Sequence, residues 1–586
     1  MTQNTKALIG AAMGKIKCDL LLENANLVNV LSGRIEENVS IAIKAGTILG
    51  VGTVYEADKR LDLGGKYVYP GLIDSHIHLE STKLSVFEAA KLMLRFGTTT
   101  VISDPHEITN VAGVEGLRFQ MRAAAANPYV NVFFTIPSCV PALADPNIES
   151  FASHLDAAAL EDFLGREDVV GLGEMMNLPG VLMGDSDVLQ KIMSYRAAGL
   201  AIDGHAPLLS GRALNAYICA GVASDHESSQ RAEAQEKLDR GMHIMIREGS
   251  SERNLDELLP VVNEFNAMRM SFASDDLDPA DMAARGHINH MLKRAVAAGV
   301  SPIRALQMAT ISPALYYKIS HKVGAIFPGA QADLVVANDL IDFEPLVVLH
   351  KGEVLYRNDE YASVAAPKYE SLRSCMNVVF PSAQSLAVPR VEGAEYRAIS
   401  MIEGQILTQE YRFVPDSRTQ FVQPKDEDDV AKIVVFERHK GSGSYGIGFV
   451  HGFGIKSGAI ASSVAHDSHN LIVVGTNDED ILAAAKRLTA LGGGQLALCK
   501  DEFCEMPLPI AGLMSNVSAE ELIAQEHKIH EFCKNKLKIS LERPFAAISF
   551  LSLPVIPQLR VTDKGLFGIA PGGYPQKLAL YVEESC

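Results

Sequence analysis

Apolar residues recur along this chain in two alternating rhythms. Between about Val68 and Leu315, short β-rich runs alternate with stretches of helical periodicity, the pattern of repeated βα units on a parallel sheet. The strand candidates are Val68 to Ile73, Thr98 to Ser103, Val130 to Thr135, Val169 to Gly173, Leu200 to Gly204, Val222 to Asp225, His243 to Arg247 and Met270 to Ser274. Eight such runs, most of them separated by room for a helix, match a closed (β/α)8 barrel in number and span. In the first interval Leu84, Phe87, Ala90, Met93 and Leu94 share one helical face. Ser81 or Thr82 is available as its cap and Gly97 as its end.

Two β-rich flanks enclose that region. Leu20 to Leu22, Leu27 to Val30 and Val39 to Ile43 precede it, with a turn at Ser32-Gly33. Gly324 to Tyr356 follows it, punctuated by Pro328-Gly329 and Lys351-Gly352. The flanks suggest one small paired domain, although two separate hairpins fit the same pattern. A third region runs to the C-terminus after a linker over Ala365 to Tyr369. It mixes strands such as Ile433 to Phe436 and Leu471 to Val474 with a helix over Asp478 to Leu491, for which Thr476 and Glu479 form a capping box and Gly492 to Gly494 a stop. The expected architecture is α/β: a TIM-type (β/α)8 barrel over residues 67–320, a flanking composite β-sandwich from 1–66 and 321–372, and a C-terminal α+β domain over 373–586.

Composition narrows the partners. With 47% hydrophobic and 21% charged residues the chain reads as soluble and globular, and no run approaches the ~20 apolar residues of a membrane span. The N-terminus lacks the layout of a secretory signal, so a cytoplasmic location is expected. A formal net charge of −18 argues against nucleic acid and leaves small neutral molecules as the natural ligands. Eight dispersed cysteines without a Cys-x-x-Cys pair read as reduced thiols.

Barrel enzymes carry their reactive residues at the C-terminal ends of the strands. Strand one ends in Asp74-Ser75-His76-Ile77-His78, where side chains two apart point the same way and His76 and His78 can share one metal. Strand four finishes at Glu174, strand five at His205, strand six at His226 and strand eight at Asp275. Each alone reads as a polar strand end. Together they converge imidazole and carboxylate on one rim. Six ligands exceed one open tetrahedral site, and a carboxylate at Glu174 can bridge two ions. The simplest partition gives His76, His78 and Asp275 to one ion, His205 and His226 to the other, and Glu174 to both. A hydroxide between two such ions would be a strong nucleophile at neutral pH. Manganese, iron and zinc all suit a set without thiolate.

Strand two ends in Ser103-Asp104-Pro105-His106-Glu107, which places Asp104, His106 and Glu107 over the same rim as substrate contacts or supports. The alternative for Asp104 is a cap on the next helix. Asp276 reads as a cap or support rather than a ligand. A C-terminal cluster of His451, His466, Asp467, His469 and Asn470 either lines the pocket or holds a further ion, with a structural or lid role ahead of catalysis. The surrounding glycines, Gly441 to Gly458, contain no phosphate-loop pattern.

PGLIDSHIHLEST and GAIFPGAQADLVV resemble the opening and the close of amidohydrolase-superfamily barrels. TTTVISDPHEITNVAGVEG, GLGEMMN, DGHAP, SDHES, SFASDDL and GFVHGFGIKSGAIASSVAHDSHNLIVVGTND are more specific and resemble the bacterial adenine deaminase family. The resemblance implies the ligand set above, and the absence of a lysine at the end of strand four argues against the dihydroorotase and hydantoinase branches. It implies two divalent transition-metal ions, Mn2+ or Fe2+ ahead of Zn2+. The implied reaction is deamination of adenine to hypoxanthine and ammonia. A bridging hydroxide would attack C6, Asp275 and Glu174 would be the catalytic carboxylates, and Glu107 or Asp104 would protonate N1. Expected partners are adenine, water and a second copy of the chain in a homodimer, with no nucleic acid or membrane. The rival readings are another binuclear amidohydrolase, acting on a cyclic amide or a different heterocycle, and a non-catalytic scaffold that retains the fold.

Overall fold

The computed structural model describes residues 2–582 apart from 251–252, 368–371, 373–374, 403–406, 425 and 571–572. The linker expected over Ala365 to Tyr369 lies partly outside the described residues, and Cys586 lies outside them entirely. The seven described cysteines are free thiols. Among the described residues no helix is long and apolar enough to cross a membrane.

The two flanks form one sheet of nine strands. Cys18–Asn29 pairs antiparallel with Arg34–Lys44 and parallel with Tyr67–Pro70. Tyr67–Pro70 then pairs antiparallel with Leu334–Ala337, Val68 opposite Val336 and Pro70 opposite Leu334, and Pro345–His350 continues the sheet. Separate hairpins are therefore excluded. Leu22, Leu27, Ile41, Val68, Leu334, Val336 and Leu349 share one buried cluster, so neither flank completes its core without the other.

Val68 to Ile73, expected as one strand, is two: Tyr67–Pro70 in the flanking sheet and Leu72–Ile77 in the barrel. Pro70 has no N–H to continue a ladder, and the Gly71 N–H turns to Asp333 O at 2.9 Å. Gly71 packs so tightly that a Cβ would collide with the Thr99 side chain.

The barrel strands are Leu72–Ile77, Thr98–Ser103, Asn131–Ile136, Val169–Met175, Ala201–Gly204, Ser224–Asp225, His243–Arg247 and Met270–Ala273, parallel and in sequence order. Ala223 N to Ile202 O at 2.9 Å joins the fifth strand to the sixth. The ring closes where Asp275 N donates to His76 O at 3.0 Å and Ile77 bridges Asp275. The first, second and fourth strands are buried at every position, as a sheet with core inside and helices outside requires. The first helix, Val86–Arg95, is capped by Ser85, which accepts from Glu88 N. Ser81 and Thr82 lie instead in a 3-10 turn over Leu79–Thr82.

The C-terminal region centres on an eight-stranded sheet, with Val430–Phe436, Leu471–Gly475 and Ala459–Ser462 near its middle. Its helix Asp478–Ala490 is capped by Asn477 rather than by the expected Thr476 and Glu479 box, because the Asn477 side chain accepts from Asp480 N. This region docks on the barrel rim. Lys83, in the loop after strand one, pairs with Glu526, and its carbonyl accepts Ser515 N at 2.7 Å. Arg543 reaches Asp281, and Asn470 Nδ2 donates to Ser150 O at 2.7 Å.

Candidate metal centre

Strand-end geometry brings the six expected ligands to one buried point. His78 Nε2 lies 3.2 Å from His76 Nε2, 3.3 Å from Glu174 Oε1 and 3.1 Å from Asp275 Oδ1. The other oxygen of Glu174, Oε2, faces His205 Nδ1 at 2.6 Å and His226 Nε2 at 3.2 Å. Glu174 thus presents one oxygen to each of two imidazole groups. The His76 and His226 rings stack at 4.3 Å, and of the six side chains His205 is the most exposed, at 28%.

The donor chemistry fits divalent cations. His78 Nδ1 lies 2.9 Å from Asp104 O, so it carries the proton and leaves the Nε2 lone pair facing the centre. Two imidazole Nε2 atoms at 3.2 Å from each other and ringed by carboxylates form an arrangement that a shared cation satisfies. Nδ1 of both His76 and His226 is buried without a hydrogen-bond partner. Groups of at least three such ligand atoms recur here, among them His76, His78 and Glu174, and Glu174, His205 and His226. Burial opposes ionisation of Glu174, but His226, His205 and His78 together hold its carboxyl well below the usual range.

Asp275 adopts a left-handed backbone, φ 57°, a conformation that aspartate tolerates better than most residues. Its carboxylate meets the Arg247 guanidinium, which also holds Glu227 at 2.6 Å. Burial pushes Asp275 up, and Arg247 with His78 reverses that and holds it well below the carboxylate range. Arg247 ends strand seven. Its position was legible from the strand pattern, but a guanidinium facing the Asp275 carboxylate is a contact between neighbouring strands that periodicity does not encode.

Of the strand-two residues, Asp104 does not cap the following helix, His106–Ala126. Its Oδ2 accepts Glu174 N at 2.9 Å. It therefore braces the backbone of Glu174. The His106 ring sits 4.4 Å from that of His78, with Nδ1 3.5 Å from Glu174 Oε1 and Nε2 3.2 Å from Glu107 Oε1. Asp276 accepts Ser81 Oγ, and its carboxylate also lies within one group of possible ligand atoms with His78 and Asp275. The expected C-terminal cluster divides. His466 and His469 reach Glu107 on the barrel rim, whereas His451 stacks on Tyr411 at 3.8 Å and bonds Ser400, and Asn470 holds Ser150. Glu80, missed in the sequence, accepts Ile108 N at 3.1 Å and is pushed by burial up to about 7.

Comparison with known proteins gives this geometry a family. Residues 67–355 match the amidohydrolase family and residues 405–571 match the adenine deaminase C-terminal domain. The chain is 43% identical to the adenine deaminase of Oleidesulfovibrio alaskensis, over 97% of each chain. It is 41% identical to adenine deaminase 2 of Carboxydothermus hydrogenoformans, covering 96% of this chain and 98% of that one. It is 43% identical to the adenine deaminase of Dehalococcoides mccartyi strain 195, over 97% and 98%. The chain belongs to the adenine deaminase family.

Amidohydrolases are divalent-metal hydrolases, and the buried His and carboxylate groups at this rim are suited to such ions. The matched C-terminal domain includes His466 and His469, so both matched regions contribute side chains around Glu107.

Proposed function

We propose that this protein hydrolyses adenine to hypoxanthine and ammonia at two divalent cations, held by His76, His78 and Asp275 on one side, His205 and His226 on the other, and Glu174 between them. The observation that carries the two-ion reading is the split of Glu174, Oε1 toward His78 and Oε2 toward His205 and His226. Manganese or iron suits the imidazole and carboxylate donors, and zinc is the alternative. Bound there, such ions would lower the pKa of water toward neutrality.

The chain's own groups account for the remaining chemistry. Asp275, aimed by Arg247, accepts a proton from the attacking water and returns it to the departing amine. Glu174 would be held as a carboxylate by the cations it contacts. Asp104 fixes the strand that bears Glu174, and His106 and Glu107 present polar atoms to the heterocycle on the adjoining rim. Closure of the C-terminal region over the rim keeps bulk water from the reacting ring. A homodimer in the cytoplasm, with adenine and water as its only reactants, completes the reading.

The test is an ammonia-release screen of purines and cyclic amides on enzyme whose metal content has been measured. Adenine should yield hypoxanthine and ammonia in equal amounts, with about two metal equivalents per chain. Ring opening of a cyclic amide without ammonia, or an inert adenine control at full metal loading, would overturn it.

A further inference from the structure

Glu107 is the meeting point of three imidazoles. His106 Nε2 lies 3.2 Å from Oε1, His466 Nδ1 lies 2.6 Å from the same oxygen, and His469 Nε2 contacts Oε2. All four side chains are buried. Such a set invites a third cation, and one hydrogen bond decides against it. His469 Nδ1 accepts the Ala465 N–H at 3.0 Å, so its only proton sits on Nε2 and points at Glu107. A metal on that Nε2 would require an imidazolate. The cluster is a carboxylate gripped by N–H donors.

His466 differs from His469. Its ring stacks on Phe550 at 4.5 Å and lines a cavity of about 50 Å³ between the barrel rim and the C-terminal domain, roomy enough for a few waters. Burial opposes its charged form, but Glu107 raises it to about 9, while Glu107 is held well below the carboxylate range against its own burial by His466 and His469. The pair thus carries one proton, on the nitrogen facing the carboxylate. Glu107 stands one imidazole away from Glu174, through His106.

We propose that Glu107 and His466 together store the proton taken up by the ring nitrogen during deamination, with Glu107 the donor and His466, from the C-terminal domain, the positioning residue that recharges it. The inference rests on the deaminase reading above. In the step, the His466 Nδ1–H bond breaks as an O–H bond forms on Glu107 Oε1. That O–H breaks as the ring N–H forms, and the N–H stays in the oxopurine product. Of the two protons of the attacking water, the one lost when it ionises to hydroxide returns through Glu107 to His466 Nδ1 and the other passes by Asp275 to the departing amine, so the pair ends each turnover as it began.

The test uses full-length, metal-analysed enzyme carrying His466→Gln or His466→Ala. Glutamine can keep an N–H on Glu107 but cannot exchange a proton with it. Alanine leaves a ring-sized gap beside the cavity. Both should lose about 100-fold or more in kcat, within the range of general acid catalysis, while KM and metal content stay near wild type. Free imidazole should restore His466→Ala and not His466→Gln. The proposal is overturned if His466→Gln keeps kcat within about threefold of wild type, or if imidazole leaves a folded His466→Ala enzyme unchanged. Should the alanine variant not fold, the kcat of His466→Gln decides alone. Wild-type enzyme that releases no ammonia from adenine would instead overturn the functional reading itself.

Discussion

Lys237 offers a direct test of how the second imidazole group is held. Its ammonium is fully buried and meets Asp225 Oδ2 at 2.8 Å, Glu233 Oε1 at 2.7 Å, Ala206 O at 2.7 Å and Ser228 Oγ at 3.1 Å. Asp225 in turn accepts Ala206 N and Ser228 N, each at 2.9 Å. Ala206 follows His205 and Asp225 precedes His226, so one ion pair fixes the backbone beside both candidate ligands. Burial opposes the charge on Asp225, and Lys237 with His226 outweighs it, bringing the carboxyl down to about 2. Lys237→Met would keep the aliphatic stem and strand the carboxylate. Breaking one side of a buried pair costs about 3–5 kcal/mol. The low end applies, because Asp225 retains its other donors and Glu233 lies nearer the surface. A loss of about 3 kcal/mol in a unit of barrel size lowers its melting temperature by roughly 6–12 °C. The several packed units need not melt together, so calorimetry should follow the barrel transition, alongside metal analysis. About half the bound metal should be lost with it, since His205 and His226 serve one ion of the proposed pair. A variant that melts within about 2 °C of wild type and keeps full metal would refute the argument.

Gly173→Ala should abolish most activity while the protein stays folded, because a Cβ there would strike the Asp104 carboxylate that holds Glu174 N. Unchanged kcat would contradict that role for Asp104. Asp333 ties barrel to flanking sheet through Asn131 Nδ2 at 2.8 Å, Gln331 Nε2 at 2.7 Å and Lys351 N at 2.8 Å, and His350 with Lys351 N and Gln331 overcomes burial to hold its pKa below the usual value. A depressed carboxyl contributes stability above its unfolded pKa and loses it as pH falls through the folded one. Asp333→Asn should therefore melt lower at pH 7, by about 1–3 kcal/mol in stability, and the gap from wild type should close below about pH 4. Equal melting at pH 7 would refute it. Dialysis against a chelator should remove activity, and titration with Mn2+ should restore it with a break at about two equivalents; a break at one would favour a single-ion site.

The positions that bear chemistry were legible because a parallel barrel converts strand ends into neighbours. Once Val169–Met175, Ala201–Gly204 and Met270–Ala273 are read as strands, Glu174, His205 and Asp275 must share a rim. Local breaks were harder. The Pro70-Gly71 step hides inside an apolar run, and Ser85, Ser81 and Thr82 compete for one cap with no pattern to separate them. Contacts between distant segments were not legible at all. Glu107 and His466 are 359 residues apart, and their meeting depends on how a sheet domain seats on a barrel. His451 shows the converse: close to His466 in sequence, it points across another face of its sheet to Tyr411.

The partnership of Tyr67–Pro70 with Leu334–Ala337 imposes an order on synthesis. The edge formed by Tyr67–Pro70 must wait for a partner encoded about 260 residues later, which at ribosomal speeds of 5–20 residues per second is roughly 13–50 s. Throughout that interval the nascent N-terminal strands expose an unpaired ladder while the intervening barrel emerges. An edge left open for that long favours pairing between neighbouring nascent chains.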